Sequence, residues 1–252
     1  MKILKYKRKK NGQYELQLES LEVLCLYEEV ILNFDLLLKK RVDDEEKAKI
    51  LLLNQEYDVY YMALKSLKSR FKSTKDLRDS LVKKEYPLEY IDKAIDKLTK
   101  QGYLDDRVFA KAYINQQMIT TSKGPKKIAQ ELLSKGVLLD IIDDELVLFT
   151  KDIQLEKINK VAMRLIKSNR SRGGVVLKKK IMMDLQNLGY SSGIVSSVVA
   201  TLDFGDVSDI QKREYDKLYR RLSRKYSGKE LEYKIKEKLY QKGLYLSLIH
   251  IS

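Results

Sequence analysis

Few side chains in this sequence are of a kind that makes or breaks covalent bonds. The single cysteine, Cys25, has no histidine near it in sequence, and the single histidine is His250. A thiol or an imidazole needs a neighbouring base or acid to serve as nucleophile or proton carrier. There is no GxxxxGK[ST] phosphate loop, no GxGxxG, no CxxC and no HExxH. Two acidic pairs, Asp105-Asp106 and Asp143-Asp144, carry the oxygen chemistry that Mg²⁺ takes. Asp105, however, directly precedes a helical pattern, where a carboxylate accepts a bond from an unpaired backbone N–H. Asp143-Asp144 fit the solvated face of a helix. The expectation is a protein without catalytic residues, metal or cofactor.

The basic side chains offer a different chemistry. The formal charge is +14. Residues 151–252 hold 22 Lys and Arg against 11 Asp and Glu, so most of the positive field lies there. It is concentrated in Arg164, Lys167, Arg170 and Arg172, in Lys178, Lys179 and Lys180, and in Arg220, Arg221, Arg224 and Lys225. Arg164 and Lys167, and Arg220 and Arg224, are three and four residues apart and share helix faces. Such clusters attract nucleic acid or an acidic protein surface. The plain alternative is a solvated basic face with no dedicated polyanion site. Tyr57, Tyr60, Tyr61, Tyr86, Tyr90, Tyr103 and Tyr113 could stack bases, but tyrosine at helical spacing more often packs half-buried with its hydroxyl reaching water.

These residues must be positioned by helices. The 252 residues include only two prolines, and apolar residues make up 44%, enough to bury a core. The lone cysteine points to a reduced, cytoplasmic setting. No stretch reaches the roughly 20 apolar residues that cross a bilayer. Apolar pairs four apart recur at Leu77/Leu81, Ile128/Leu132, Ile181/Leu185 and Ile235/Leu239, their second members 51, 53 and 54 residues apart. Four residues after each second leucine stand Glu85-Tyr86, Gly136-Val137, Gly189-Tyr190 and Gly243-Leu244. Glycine suits the left-handed position after a helix, and Glu85 breaks the pattern. At a common further offset come Tyr90-Ile91, Ile141-Ile142, Ile194-Val195 and Leu248-Ile249, marking a third helix. Ser73 and Ser227, each followed three residues later by an acid, read as capping boxes. Period and pattern predict tandem three-helix repeats at 58–104, 105–150, 151–205 and 206–252, the last stopping about one turn into its third helix. Residues 1–57 read as a small α+β cap. Its β-hairpin joins Ile3–Arg8 to Tyr14–Leu18 through Asn11-Gly12, a mixed segment covers Leu21–Val42, and a helix runs from Asp43 to about Gln55. The predicted fold is mainly α, an extended curved array of repeats behind that cap.

The segment Gly102-Tyr-Leu-Asp-Asp-Arg-Val-Phe109-Ala-Lys-Ala-Tyr113-Ile, with Lys123-Gly-Pro-Lys-Lys-Ile128-Ala-Gln-Glu131-Leu132-Leu-Ser-Lys135-Gly136-Val137, closely resembles the central repeat of the RecX family, regulators of the bacterial RecA recombinase. The layout is similar to the longer, four-repeat Gram-positive members. The motif residues read locally as scaffold: Pro125 fits a first helical turn, and Ile128 and Leu132 face a core. The resemblance implies a monomer that binds RecA and its nucleoprotein filament. It would restrain filament growth, ATPase and strand exchange in recombination and DNA repair, with single- or double-stranded DNA as a further contact and no membrane. Many relatives carry arginines just after the motif tyrosine, where Asn115, Gln116 and Gln117 stand here. Lys111, Lys123, Lys126 and Lys127 are the candidate substitutes. A helical DNA- or RNA-binding module without a recombinase partner is the competing expectation.

Overall fold

The computed structural model describes residues 1–10, 12–169, 171–172, 174–204 and 207–244. Asn11, Arg170, the Leu248-Ile249 pair and His250 lie outside them. The fold is mainly helical, with a small N-terminal antiparallel sheet. Two compact units divide the chain, one of residues 1–110 with 133–141, the other of 111–132 with 142–252.

The sheet has three strands in sequence order, β1 (Ile3–Arg8), β2 (Tyr14–Leu18) and β3 (Val23–Leu26). Arg8 pairs with Tyr14 and Leu16 with Leu24. β3 falls inside the segment that the sequence left mixed, because four residues are too short to display alternation. In place, Leu16, Leu18, Leu24 and Leu26 alternate onto one face and bury against Val30 and Ile31 of the short helix α1 (Glu28–Asn33) and against Ile50.

Ile50 belongs to α2 (Asp44–Ser69), and here the expected helix end at Gln55 is wrong. No glycine or proline interrupts residues 44–69, so nothing stops the helix. Asp43 caps it, accepting from the Glu46 N–H at 2.7 Å, with Asp44, Glu45 and Glu46 complementing the dipole in the first turn. The apolar stripe then changes partner. Ile50 closes the cap core, whereas Val59, Tyr60 and Ala63 pack with Leu77 and Leu81 of α3 (Thr74–Val82) and Ile91, Ile95 and Leu98 of α4 (Leu88–Lys100). One helix therefore serves both the cap and the first three-helix bundle.

The remaining helices among the described residues are α5 (Asp106–Thr120), α6 (Pro125–Ser134), α7 (Leu139–Leu146), α8 (Lys151–Ser168), α9 (Gly174–Asn187), α10 (Ser192–Thr201), α11 (Val207–Leu222) and α12 (Gly228–Gln241). No helix among the described residues is long and apolar enough to cross a membrane. All eight residues of the apolar pairs on α3, α6, α9 and α12 are 1% exposed or less. Burying such side chains supplies about 1.5–3 kcal/mol each. In α4, α7 and α10 the second member of the recurring pair, Ile91, Ile142 or Val195, is the fully buried one. Of the two expected capping serines only Ser73 bonds its helix, accepting from the Asp76 N–H at 3.1 Å. Ser227 stands at the N-cap of α12 without a side-chain cap bond.

The turn after each second helix explains the odd glutamate. Gly136, Gly189 and Gly243 have φ of 80°, 95° and 73°, and Glu85 takes the same left-handed conformation at 62°. An exposed residue with a Cβ is strained there by about 1–2 kcal/mol. Glu85→Gly is therefore expected to stabilise the protein by about 1 kcal/mol, part of the relief being returned as unfolded-chain entropy. A lower urea midpoint for the variant would contradict this.

In the second unit, α11 and α12 bury an acid. Glu214 is 2% exposed, beside Leu218 and the face formed by Leu231, Ile235 and Leu239. Lys242 Nζ stands 2.6 Å from one carboxylate oxygen and Lys217 Nζ 3.4 Å from the other. Burial pushes this carboxyl up, but the Lys242 hydrogen bond and the charges of both lysines outweigh it and hold it below the usual range. A depressed folded-state pKa contributes stability above the unfolded value of about 4.3 and loses it as pH falls through the folded value. The thermal midpoint should thus fall on acidification below about pH 4.3, and Glu214→Gln should flatten that fall. An unchanged acid slope in the variant would remove Glu214 from the account.

Candidate polyanion interface

The site is built on α8. Thr150 caps this helix, its Oγ1 accepting from the Ile153 N–H at 3.4 Å, and Ile158, Val161 and Ala162 are buried. Lys157, Lys160, Arg164 and Lys167 recur at spacings of three and four along a second stripe. Lys157 is half-buried. Its Nζ donates to the Thr121 carbonyl at 2.8 Å and to that of Met118, at the end of α5. It thereby satisfies carbonyls that the helix end leaves open. Burial, and then the charge of Lys160, lower its pKa. Arg164 donates to Ser122 Oγ at 2.8 Å. Between Thr121, Ser122, Lys157, Lys160 and Arg164 lies an open recess of about 290 Å³. With Lys157 held by carbonyls and Lys160 paired with Glu156 at 2.5 Å, the two hydroxyls and Arg164 form the part of the recess best able to receive an anionic oxygen group.

Arg164 thus meets the corner leading into α6. Two backbone hydrogen bonds tie that corner to the end of α9. The Gly124 N–H donates to the Leu188 carbonyl at 2.7 Å, and the Lys126 N–H to that of Gly189 at 3.1 Å. Tyr190 adds a hydroxyl bond to the Ser122 carbonyl at 3.2 Å. Neither glycine has room for a side chain: a Cβ at 124 would lie 2.7 Å from the Gly189 carbonyl carbon, and one at 189 would lie 2.7 Å from Lys127 Cβ and closer still to its nitrogen. The first turn of α6 therefore rests on the turn that ends α9. A similar joint occurs in the first unit, where Ser73 Oγ donates to the Lys135 carbonyl at 2.7 Å, Lys75 Nζ to that of Ser134 at 2.9 Å, and Lys135 pairs with Asp76 at 2.9 Å.

The expected contact residues fall into groups. Lys126 and Lys127 are exposed on the corner beside Arg164. Lys123 is partly buried, paired with Glu131 at 2.7 Å. Tyr113 also donates to Glu131, at 2.8 Å. Burial raises this carboxyl, but Lys123 and Tyr113 outweigh it and lower it. Lys123 is thus turned towards the protein. Lys111, Lys167, Arg172, Lys178 and Lys179 are exposed, whereas Lys180 pairs with Asp184 at 3.0 Å. Arg220 and Arg221 in the last turn of α11 and Arg224 just beyond it are exposed; the groove along α11 that Arg220 lines also holds Asp209 from the first turn and Asp216 one turn before Arg220, which dilute its charge. Sequence reasoning missed Lys157, Lys160 and Ser122. Extending the Arg164/Lys167 spacing backwards along the helix recovers the two lysines; nothing in the sequence marks Ser122.

The acidic pairs are occupied differently. Asp105 Oδ1 accepts from the N–H groups of Arg107 and Val108 at 2.7 and 3.2 Å, capping α5, and Asp106 accepts from the Thr74 N–H at 2.8 Å. Asp143 and Asp144 are exposed. Among the described residues no three His, Cys, Asp or Glu side chains gather as a metal site would need.

Comparison with known proteins follows the same outline. Residues 60–98 match the RecX first three-helix domain and residues 105–146 the RecX second three-helix domain. The regulatory protein RecX of Levilactobacillus brevis is 31% identical over 95% of this chain and 91% of its own. That of Listeria innocua is 30% identical over 94% of this chain and 89% of its own. A crystal structure of regulatory protein RecX superposes with a TM-score of 0.71 at 28% identity, covering 78% of this chain and 98% of that one. RecX from Lactobacillus salivarius gives 0.57 at 28% identity, over 61% and 99%.

Proposed function

We propose, on the premise that this chain belongs to the RecX family of regulatory proteins, that it binds the RecA recombinase and its nucleoprotein filament in the cytoplasm and restrains filament growth, ATP hydrolysis and strand exchange. The observation that carries this reading is the α8 stripe joined to the α6 corner, with Arg164 on Ser122 beside the exposed Lys126 and Lys127. A nucleoprotein filament is an extended polyanion, and a repeat protein offers an extended surface to it. Such a protein acts by occupancy. It needs no bond-making residue, only enough contacts to obstruct DNA access and addition of further subunits.

The test is RecA's DNA-dependent ATPase with and without this protein. A reduced rate at filament-saturating protein is expected; an unchanged rate would defeat the reading. The recess beside Arg164 also favours a second reading, since its hydroxyls and cation can receive a phosphate oxygen. On that reading the chain is a nucleic-acid binder without a recombinase partner. It would show tight, steeply salt-dependent DNA binding and no effect on the ATPase.

A further inference from the structure

A second surface, remote in sequence from the α8 stripe, has the opposite character. In the first unit, the end of α2 and the start of α5 enclose a slot of about 240 Å³. Its walls are Leu64 and Leu67 of α2, Phe71 just beyond that helix, Tyr103, and Val108 in the first turn of α5. Phe71, Tyr103 and Val108 are 58%, 60% and 53% exposed. Large apolar side chains gathered at one place on a surface mark an interaction site more often than chance. Phe71 does not swing loose, because its ring stacks on Phe109 at 6.0 Å and 22°. That contact holds it at the rim.

The rim decides the occupant. Lys68 and Lys72 border the slot, and neither has a carboxylate partner among the described residues. The one acid lining the slot among the described residues, Asp105, spends a carboxylate oxygen on the N–H groups that start α5. The field at the slot is therefore positive and its interior apolar. Apart from the Tyr103 hydroxyl, the walls of leucine, valine and phenylalanine offer no hydrogen bond to the polar edges of a nucleobase. We propose that this slot docks an acidic amphipathic peptide segment, which inserts one leucine, methionine or phenylalanine and sets flanking Asp or Glu against Lys68 and Lys72. The volume suits one such side chain, and anchoring by a single buried residue inside a charged rim is how small interfaces concentrate affinity. The inference is independent of the recombinase reading.

The experiment selects binders from a displayed library of random 12-residue peptides on the full chain. The expected consensus is one large apolar residue flanked by acids. Its affinity should fall at least tenfold in Val108→Glu, which fills the slot from an exposed helical position, and in Lys68→Glu/Lys72→Glu, with unfolding midpoints unchanged. A basic or absent consensus would overturn the proposal. So would peptides bound equally by Val108→Glu, or an oligothymidine that competes for the slot more strongly than the selected peptides.

Discussion

Replacing Gly189 with alanine is expected to cost about 3 kcal/mol, the sum of a left-handed backbone held by a residue with a Cβ and an overpacked contact. At φ of 95° the new methyl group meets Lys127 Cβ at 2.7 Å and the backbone of that residue. A flexible side chain could retreat; the Lys127 backbone, whose N–H donates to the Gly124 carbonyl and which follows the Lys126 N–H that crosses the joint, cannot do so cheaply. The loss should be local first. Amide exchange at Gly124 and Lys126, whose N–H groups cross to Leu188 and Gly189, should accelerate before the rest of the fold opens. Gly102→Ala is the control. Its φ of 73° is equally left-handed, but a Cβ there meets nothing within 4 Å, so only the conformational cost of about 1–2 kcal/mol applies. Equal losses in the two variants would mean that the joint contributes nothing beyond backbone strain. If the joint positions Lys126 and Lys127, Gly189→Ala should also weaken RecA-filament binding while Gly102→Ala leaves it unchanged.

What was legible in the sequence, and what was not, divides along physical lines. Local periodicity was legible. Leu77/Leu81 and their later equivalents announce buried helix faces because a 3.6-residue period is written in adjacent residues. The turns were legible where glycine marks them, and Glu85 at φ of 62° shows position overriding residue preference. The N-cap role of Asp105 was also readable, since it depends only on neighbours. Boundaries that depend on the absence of a signal were not: α2 runs through the expected break because no residue in it objects to a helix. Long-range contacts were also hidden. The Gly124 and Gly189 motifs look alike to any number of helix ends, and nothing in either says that they meet. The same holds for the site. Arg164 and Lys167 were visible as a charged pair, but the bond to Ser122 joins residues 42 apart in sequence, and Lys157 reads as one more surface lysine until its carbonyl partners at Met118 and Thr121 are in view.

That distinction sets the terms for testing the basic surface. Reversing Arg164, Lys167, Lys178 and Lys179 together to glutamate should weaken binding to the RecA–DNA filament on the order of 10³–10⁴-fold at about 0.1 M salt, because each contact with a polyanion is worth close to a decade per decade of salt. The salt dependence is the sharper readout. If all four side chains touch phosphates or acidic groups of the filament, the slope of log affinity against log salt should become shallower by roughly three to four. Steric damage would lower affinity without changing the slope. All four side chains are exposed, so the unfolding midpoint should barely move. Arg220, Arg221 and Arg224 provide the internal comparison. They match the first group in charge type, but the α11 groove mixes Asp209 and Asp216 with its cations, and their reversal should cost less than tenfold. If the α11 reversal were instead the damaging one, the filament would lie against the fourth repeat and the α8 stripe would be solvated surface. A loss confined to naked DNA, with RecA's ATPase still restrained, would separate the two activities and assign the α8 stripe to nucleic acid alone.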